Sequence, residues 1–311
     1  MKKTIHIKSI ADILPISTIE GNTKGLISSV LFNREDIENQ FSEAVFLRAT
    51  IAILVLSGTG QLYTNYQPHA IQANTIILMF ASHLFNIQEC SSDFTCIALF
   101  VSREFMEDMD STDMIYRRIK YGVRLFNTPV VPLAEENTGL LRERMKAVGK
   151  AIENTGHLYY KEVILNNLLA FYLDLSNIID RQENMQQDNG RLTRYENLIK
   201  AFIELLVIHY RKEHKVEFYA SELHASAHYL TLIVKRITGQ SVCDFIFEML
   251  YSDARTLLTH SKMSIQEIAA LLNFSDQSSF GKFFKRKTGL SPADYRKGLL
   301  LTVPAPDNQA I

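Results

Sequence analysis

Two stretches in the C-terminal third of the chain repeat one pattern about fifty residues apart, and this repeat constrains the fold more than any other feature. The first is Tyr219-Ala220-Ser221-Glu222-Leu223-His224-Ala225-Ser226, followed by Leu230, Val234, Lys235 and Gly239. The second is Ile268-Ala269-Ala270-Leu271-Leu272-Asn273-Phe274-Ser275, followed by Phe280, Phe284, Lys285 and Gly289. Counting back from each glycine, Leu230 meets Phe280, Val234 meets Phe284 and Lys235 meets Lys285. Counting forward from Ala220 and Ala269, Leu223 meets Leu272 and Ser226 meets Ser275, so the second copy carries one extra residue in between.

Each copy has the parts of a helix-turn-helix. Ser264 and Glu267, three residues on, form a capping box that satisfies backbone donors at a helix start. Ile265, Ile268, Ala269 and Leu272 then recur at helical spacing as one apolar stripe. Ala220 and Ala269 are small, as two closely approaching helices require. Asn273 tolerates the left-handed backbone that ends a helix, and Ser275 or Asp276 caps the next one. Phe280, Phe283 and Phe284 anchor that helix. Gly289 ends it, Ser291 caps a last helix, and Pro292 suits its first position. Val242–His260 reads as a single helix between the units. At 1.5 Å per residue its length is roughly 28 Å, near the ~34 Å that separates successive major grooves on one DNA face.

A recognition helix meets base edges with its N-terminal side chains. In the second unit Gln277 and Ser278 are placed for bases, and Lys282, Lys285 and Arg286 for phosphates or guanine edges. In the first unit the outward positions are Ala227, His228, Thr231, Leu232, Lys235 and Arg236. Two plainer readings stand beside this one. The cations, with Lys287, also suit a solvated helix face, and His228 suits an exposed cap region without DNA contact. Charge is uneven in the same sense: residues 191–299 carry 16 Lys+Arg against 11 Asp+Glu, whereas residues 1–190 carry 17 against 22. A basic half beside an acidic half hints at nucleic acid at one end.

Upstream, residues 26–101 read as strands, with Ser57-Gly58-Thr59-Gly60 as a hairpin signal and Asn33, Asn65–Pro68 and Ser91–Asp93 as further turns. Short strands at this spacing predict a small β-barrel or sandwich. Residues 102–181 read as helical, beginning at Ser102-Arg103-Glu104-Phe105-Met106, with 136–156 and 160–181 as two longer helices. The polar segment 182–190 reads as a linker and 301–311 as a tail, which divides the chain into domains at 1–181 and 191–300. The fold class is therefore α+β, with a β-barrel-like first domain carrying a helical dimerisation segment and an all-α second domain. The apolar stripe of 160–181 fits either packing within the domain or the seam of a homodimer formed through about 136–181.

The remaining signals bound the chemistry. The apolar run Ile51–Leu56 is far short of the about 20 residues a membrane helix needs. Met1-Lys2-Lys3 precedes no apolar signal region, so a cytoplasmic protein is expected. Cys90, Cys96 and Cys243 form no CxxC pair, which favours neither disulfides nor zinc; buried thiols are the plainer reading of Cys90 and Cys96, redox sensing the sharper one. His69 and His83 lack the clustered pattern of a metal site, so no metal and no cofactor are expected. Phe80, Phe85, Phe94 and Phe100 fit a β-core or the lining of an effector pocket.

Residues 195–298 resemble the DNA-binding domain of the AraC/XylS family of bacterial regulators. Ser264–Arg296, SIQEIAALLNFSDQSSFGKFFKRKTGLSPADYR, follows that family's signature nearly end to end. The resemblance implies seven helices, units at about 216–239 and 264–289, double-stranded promoter DNA as partner, and a cupin-like sensor and dimerisation domain in front. A small-molecule effector and RNA polymerase are the further partners considered. Three positions depart from the pattern: Leu232 and Leu250 stand where many members carry Arg, and Asn273 where they carry Gly. The contact left to Leu232 is apolar, as with a thymine methyl. The expected function is a sequence-specific transcription regulator and not an enzyme. Alternatives are a regulator controlled by abundance or a protein partner, and a cupin-type metalloenzyme fused to a DNA-binding module.

Overall fold

The computed structural model describes residues 6–13, 25–47, 49–80, 83–107, 117, 121, 125, 128–185, 194–238 and 240–302. The expectations for Met1-Lys2-Lys3, for 186–190 of the linker and for 303–311 of the tail lie outside these residues. Two compact units result, with their main boundary between Asn197 and Leu198.

The first unit is a sandwich of two five-stranded sheets. One sheet has the order β1–β3–β8–β5–β6, from His6–Lys8, Val45–Leu47, Leu84–Gln88, Thr59–Thr64 and Gln67–Gln72. The other has the order β10–β7–β4–β9–β2, from Val130–Pro132, Thr75–Met79, Ala49–Ser57, Thr95–Ser102 and Ile27–Asn33. Among the described residues the two sheets do not close into a barrel, so of the two expected architectures, barrel or sandwich, the sandwich is the one formed.

The second sheet explains the apolar runs. Alternate residues of a strand point to opposite faces, and both faces here are covered. Ile51, Ile53 and Val55 of β4 and Cys96, Ala98 and Phe100 of β9 fill the space between the sheets with Phe32, Phe41 and Phe85. Ala52 and Leu54, with Ile97, Leu99 and Val101, face the other way into a second core. There they meet Leu141, Met145 and Val148 of α3 (Glu135–Glu153) and Ile164, Leu168, Phe171 and Leu175 of α4 (Tyr160–Met185). A strand buried on both faces needs a continuous rather than an alternating apolar sequence, which is what Ile51–Leu56 provides. Arg144 Nε and Asp174 Oδ2, 2.7 Å apart, pin α3 to α4.

Three details differ from the sequence reading. Asn33 does not make a simple turn: it caps α1, Arg34–Phe41, whose Ile37 and Phe41 are buried. Asn33 Oδ1 accepts from the Asp36 amide at 3.0 Å and Asp36 Oδ2 accepts from the Asn33 amide at 2.9 Å. A capping box of Asn and Asp thus places a helix inside the stretch read as strands. Secondly, α4 continues to Met185, into the segment read as linker. Thirdly, by length and composition α4 could cross a membrane, although one face lies against the sheet. As expected, a short helix, α2 (Arg103–Glu107), starts after Ser102, whose Oγ accepts from the Phe105 amide at 3.2 Å.

Packing and local hydrogen bonds account for His69, His83, Cys90 and Cys96. His69 Nε2 lies 2.8 Å from Thr64 Oγ1, and buried His83 accepts at Nδ1 from the Phe80 amide at 3.0 Å. Cys90 and Cys96 are buried and free. Burial pushes the Cys90 thiol up to about 11 and the Cys96 thiol further in the same direction. A thiol that resists ionisation is a poor nucleophile, which favours the packing reading. Phe85, Phe94 and Phe100 are core residues, and Phe80 packs at its edge.

Among the described residues, seven helices follow α4 in the chain: α5 (Arg194–His209), α6 (Val216–Glu222), α7 (Ala227–Thr238), α8 (Val242–His260), α9 (Ile265–Leu271), α10 (Gln277–Thr288) and α11 (Pro292–Thr302). The bounds of α8 match the expected connecting helix at both ends. A reciprocal Ser241–Asp244 capping box starts it. Its core face includes Phe245, Ile246, Met249, Leu250 and Ala254. Leu250, one of the three positions that depart from the family pattern, is fully buried.

Candidate nucleic-acid interface

Two helix pairs, α6–α7 and α9–α10, are built on one plan. In the second, Ser264 Oγ accepts from the Glu267 amide at 3.2 Å, and Glu267 Oε2 accepts from the Ser264 amide at 2.6 Å. This reciprocal box starts α9 and holds the exposed Glu267 carboxyl below its ordinary range. Asn273 then adopts φ 55°, the left-handed backbone expected of it, and the Phe274 amide donates back to Ala269 O at 2.9 Å. In addition, the Asn273 amide group donates to Lys212 O at 2.7 Å, a bond that glycine at this position could not make. Of the two caps left open by the sequence, it is Asp276 whose side chain accepts from the Ser279 amide, at 2.6 Å. Gly289 (φ 76°) closes α10.

The first pair repeats these steps. His224, the counterpart of Asn273, is left-handed at φ 50°. The Ala225 amide donates to Ala220 O at 2.9 Å, and Ser226 Oγ accepts from the Tyr229 amide at 3.1 Å as the cap of α7. Leu230, Ile233 and Val234 bury one face of α7, as Phe280 and Phe284 do on α10. Ala220 and Ala269 are both buried.

All eleven expected contact residues lie on the two second helices. On α10, Gln277, Ser278, Lys282, Lys285 and Arg286 are exposed. On α7, His228, Leu232, Lys235 and Arg236 are exposed, while Ala227 and Thr231 are half-buried. Leu232 keeps 48% of its surface in water, although burying such a side chain is favourable. Among the described residues, no ion pair engages Lys282, Lys285 or Lys235. Arg286 is held differently: its guanidinium lies 5.5 Å from the centre of the Phe247 ring, and Lys287 Nζ lies 5.8 Å from that of Tyr251. Neither stacking was legible in the sequence, because both rings belong to α8, some forty residues upstream.

Two clamps hold the frame. Arg211 grips Asp253 of α8 with both ends of its fork, Nε to Oδ2 at 2.5 Å and Nη2 to Oδ1 at 3.1 Å, and the Tyr210 hydroxyl donates to Oδ2 at 2.9 Å. Arg296 of α11 donates to Leu258 O at 3.2 Å and to Met263 O at 2.8 Å, fixing the connection between α8 and α9. No group of three or more His, Cys, Asp or Glu that could hold a metal occurs among the described residues.

A helix-turn-helix domain family model matches residues 219–298. The Msm operon regulatory protein of Streptococcus mutans is 31% identical over 114 residues, 37% of this chain and 40% of that protein. The HTH-type transcriptional activator RhaS of Shigella sonnei is 25% identical over 257 residues, 79% of this chain and 84% of the activator. Among solved structures, the C-terminal domain of AraT, a response regulator from Geobacillus stearothermophilus, is 24% identical with a TM-score of 0.33, covering 39% of this chain and 98% of that one.

Proposed function

Because this chain belongs to the AraC/XylS family of DNA-binding transcription regulators, we propose that α7 and α10 are its recognition helices and enter successive major grooves of promoter DNA. The observation that carries this reading is the face of α10. Gln277, Ser278, Lys282 and Lys285 stand exposed on a helix whose opposite side is locked in place by Phe280 and Phe284. Gln277 and Ser278, at the N-terminal end, read base edges, Gln pairing well with adenine. Lys282, Lys285 and Arg286 neutralise phosphates. Arg286 does so from its seat on Phe247, which reduces the freedom it has to lose on binding.

On α7, Lys235 and Arg236 reach phosphates, His228 and Thr231 lie toward bases with Ala227, and Leu232 meets a thymine methyl. The N-terminal domain expected from the sequence, residues 1–181, serves as the regulatory domain, sensing a small molecule and pairing two copies through α3 and α4. RNA polymerase is the further macromolecular partner, and the cytoplasm is the site of action. The assignment is to regulation and not to enzymatic turnover, in keeping with relatives named as regulators.

The test is salt dependence. Each phosphate contact removed lowers the slope of log affinity against log salt by about 0.9 on duplex DNA. Lys285→Ala with Arg286→Ala therefore weakens binding and reduces the slope by up to about 1.8. Weaker binding with an unchanged slope would remove both residues from the phosphate contacts. A thermal-shift screen addresses the sensor: a small molecule that binds the native state raises the midpoint, and its absence from a broad metabolite panel would favour control by abundance or by a protein partner.

A further inference from the structure

We infer that Gly281 is the point of closest approach between α10 and DNA, where the helix backbone lies against the duplex with no side chain between. The inference rests on the reading of α10 as a recognition helix and adds how it seats. Gly281 lies in the middle of α10, one turn from Gln277 and one turn from Lys285, half-buried at the edge of the exposed polar face. Glycine in a helix interior is destabilising relative to alanine, because its backbone loses more freedom. Two internal reasons ordinarily justify it, and neither applies. The backbone is that of a regular right-handed helix, unlike the left-handed Gly289. Nor does packing demand it: a Cβ at Gly281 would meet no heavy atom within 4 Å, whereas one at Gly58 would come within 2.6 Å of Phe94 Cα.

The space a side chain would fill is thus left open toward the DNA. The major groove is about 12 Å wide and a helix with its side chains about 10–12 Å across, so the fit is tight and removing the side chain between Gln277 and Lys285 lets that edge of the helix sit deeper. The counterpart on α7 is Thr231, which carries a branched side chain at the same place. Gly139 of α3 serves as an internal control. It is equally open but is flanked one turn away by Glu135 and Glu143, a face that would repel phosphate.

The experiment uses the full chain and a duplex that the wild-type protein enriches from a randomised pool, comparing Gly281→Ala, Gly281→Leu and Gly139→Ala. Both Ala variants should raise the thermal midpoint of their own domain by roughly 2–6 °C. Only the Gly281 variants should bind DNA more weakly, Ala by about tenfold and Leu by more, since a displaced helix strains several contacts together. Wild-type affinity in both Gly281 variants, or a lowered midpoint in Gly281→Ala, would overturn the inference. Lys285→Ala with Arg286→Ala separates the two levels. If that pair weakens binding while the Gly281 variants do not, only the close approach fails. If the pair also leaves binding intact, or if no duplex is enriched, α10 is not a recognition helix and both readings fall.

Discussion

The helix pairs α6–α7 and α9–α10 share a backbone plan and an outward Lys–Arg pair, Lys235-Arg236 and Lys285-Arg286, but differ in their anchors and in the outward positions before that pair. Both turn through a left-handed residue, His224 or Asn273, and both bring an alanine into the helix–helix contact. The anchors differ in kind: α7 is seated by aliphatic Leu230, Ile233 and Val234, α10 by the rings of Phe280 and Phe284, which continue into Phe274 and Tyr295. At the centre of the exposed faces, Leu232 on α7 stands where α10 has Lys282. The lesson is that geometry constrains the buried and turn positions, while the outward positions are free to set what each unit reads.

The clamps give the largest expected effect on this comparison. The Arg211–Asp253 pair ties the segment before α6 to α8, and Asp253 is almost wholly buried. Removing one partner of a buried pair costs about 3–5 kcal/mol. Arg211 is half exposed, and solvent screening reduces the figure, so Asp253→Ala should cost about 2–3 kcal/mol by chemical denaturation. A loss below about 1 kcal/mol would mean that the pair behaves as a surface ion pair.

Next comes the difference in charge. Lys282→Ala with Lys285→Ala removes two exposed cations from α10, and Lys235→Ala with Arg236→Ala does the same on α7. Each pair should weaken DNA binding by about one to two orders of magnitude near physiological salt and lower the salt slope by up to about 1.8. Unequal slopes would show that one unit carries most of the phosphate contacts and would sharpen the asymmetry.

A smaller effect isolates Leu232. If it packs on a thymine methyl, Leu232→Ala loses about 1 kcal/mol, roughly fivefold in affinity, at one base pair. Replacing that thymine with uracil deletes the methyl and should weaken the wild-type chain by a similar factor while leaving Leu232→Ala nearly unaffected. Equal sensitivity of the two proteins at every thymine would remove Leu232 from base reading.

The sequence was most legible where a local rule fixes a backbone. Ser264 with Glu267, Asn273 and Gly289 each act within four residues of themselves, and the structure uses all three as expected. The repeat extended that reach, since Asn273 and His224 occupy matching positions, although histidine alone carries little signal for a left-handed turn. Partners distant in sequence were not legible. The Arg286–Phe247 stacking and the Arg211–Asp253 clamp depend on how α8 is rotated against its neighbours, and the openness around Gly281 is a property of space. The missed helix α1 is a different failure. Its Asn33–Asp36 box was present in the sequence, but the surrounding apolar strands outweighed an eight-residue helix.

The caps provide the finest distinction between the units. The second relies on carboxylates: Asp276 accepts from the Ser279 amide, and that bond, with help from Ser275, lowers its proton affinity. Glu267 is lowered chiefly by the Ser264 amide. In the first unit the cap of α7 is the Ser226 hydroxyl, which does not titrate. A carboxyl whose folded pKa is depressed contributes its full share above its unfolded value and loses it as pH falls toward the folded value. The ordinary values are 3.8 for Asp276 and 4.5 for Glu267, so the loss begins there and grows on further acidification. Amide exchange reads each cap separately. Between about pH 5 and pH 3, protection at Ser279 should fall relative to Tyr229, after correction for intrinsic exchange. In Asp276→Asn, a neutral side chain that still caps, that difference should disappear. If Ser279 and Tyr229 lose protection together in both proteins, acid acts on the whole unit and not through the caps.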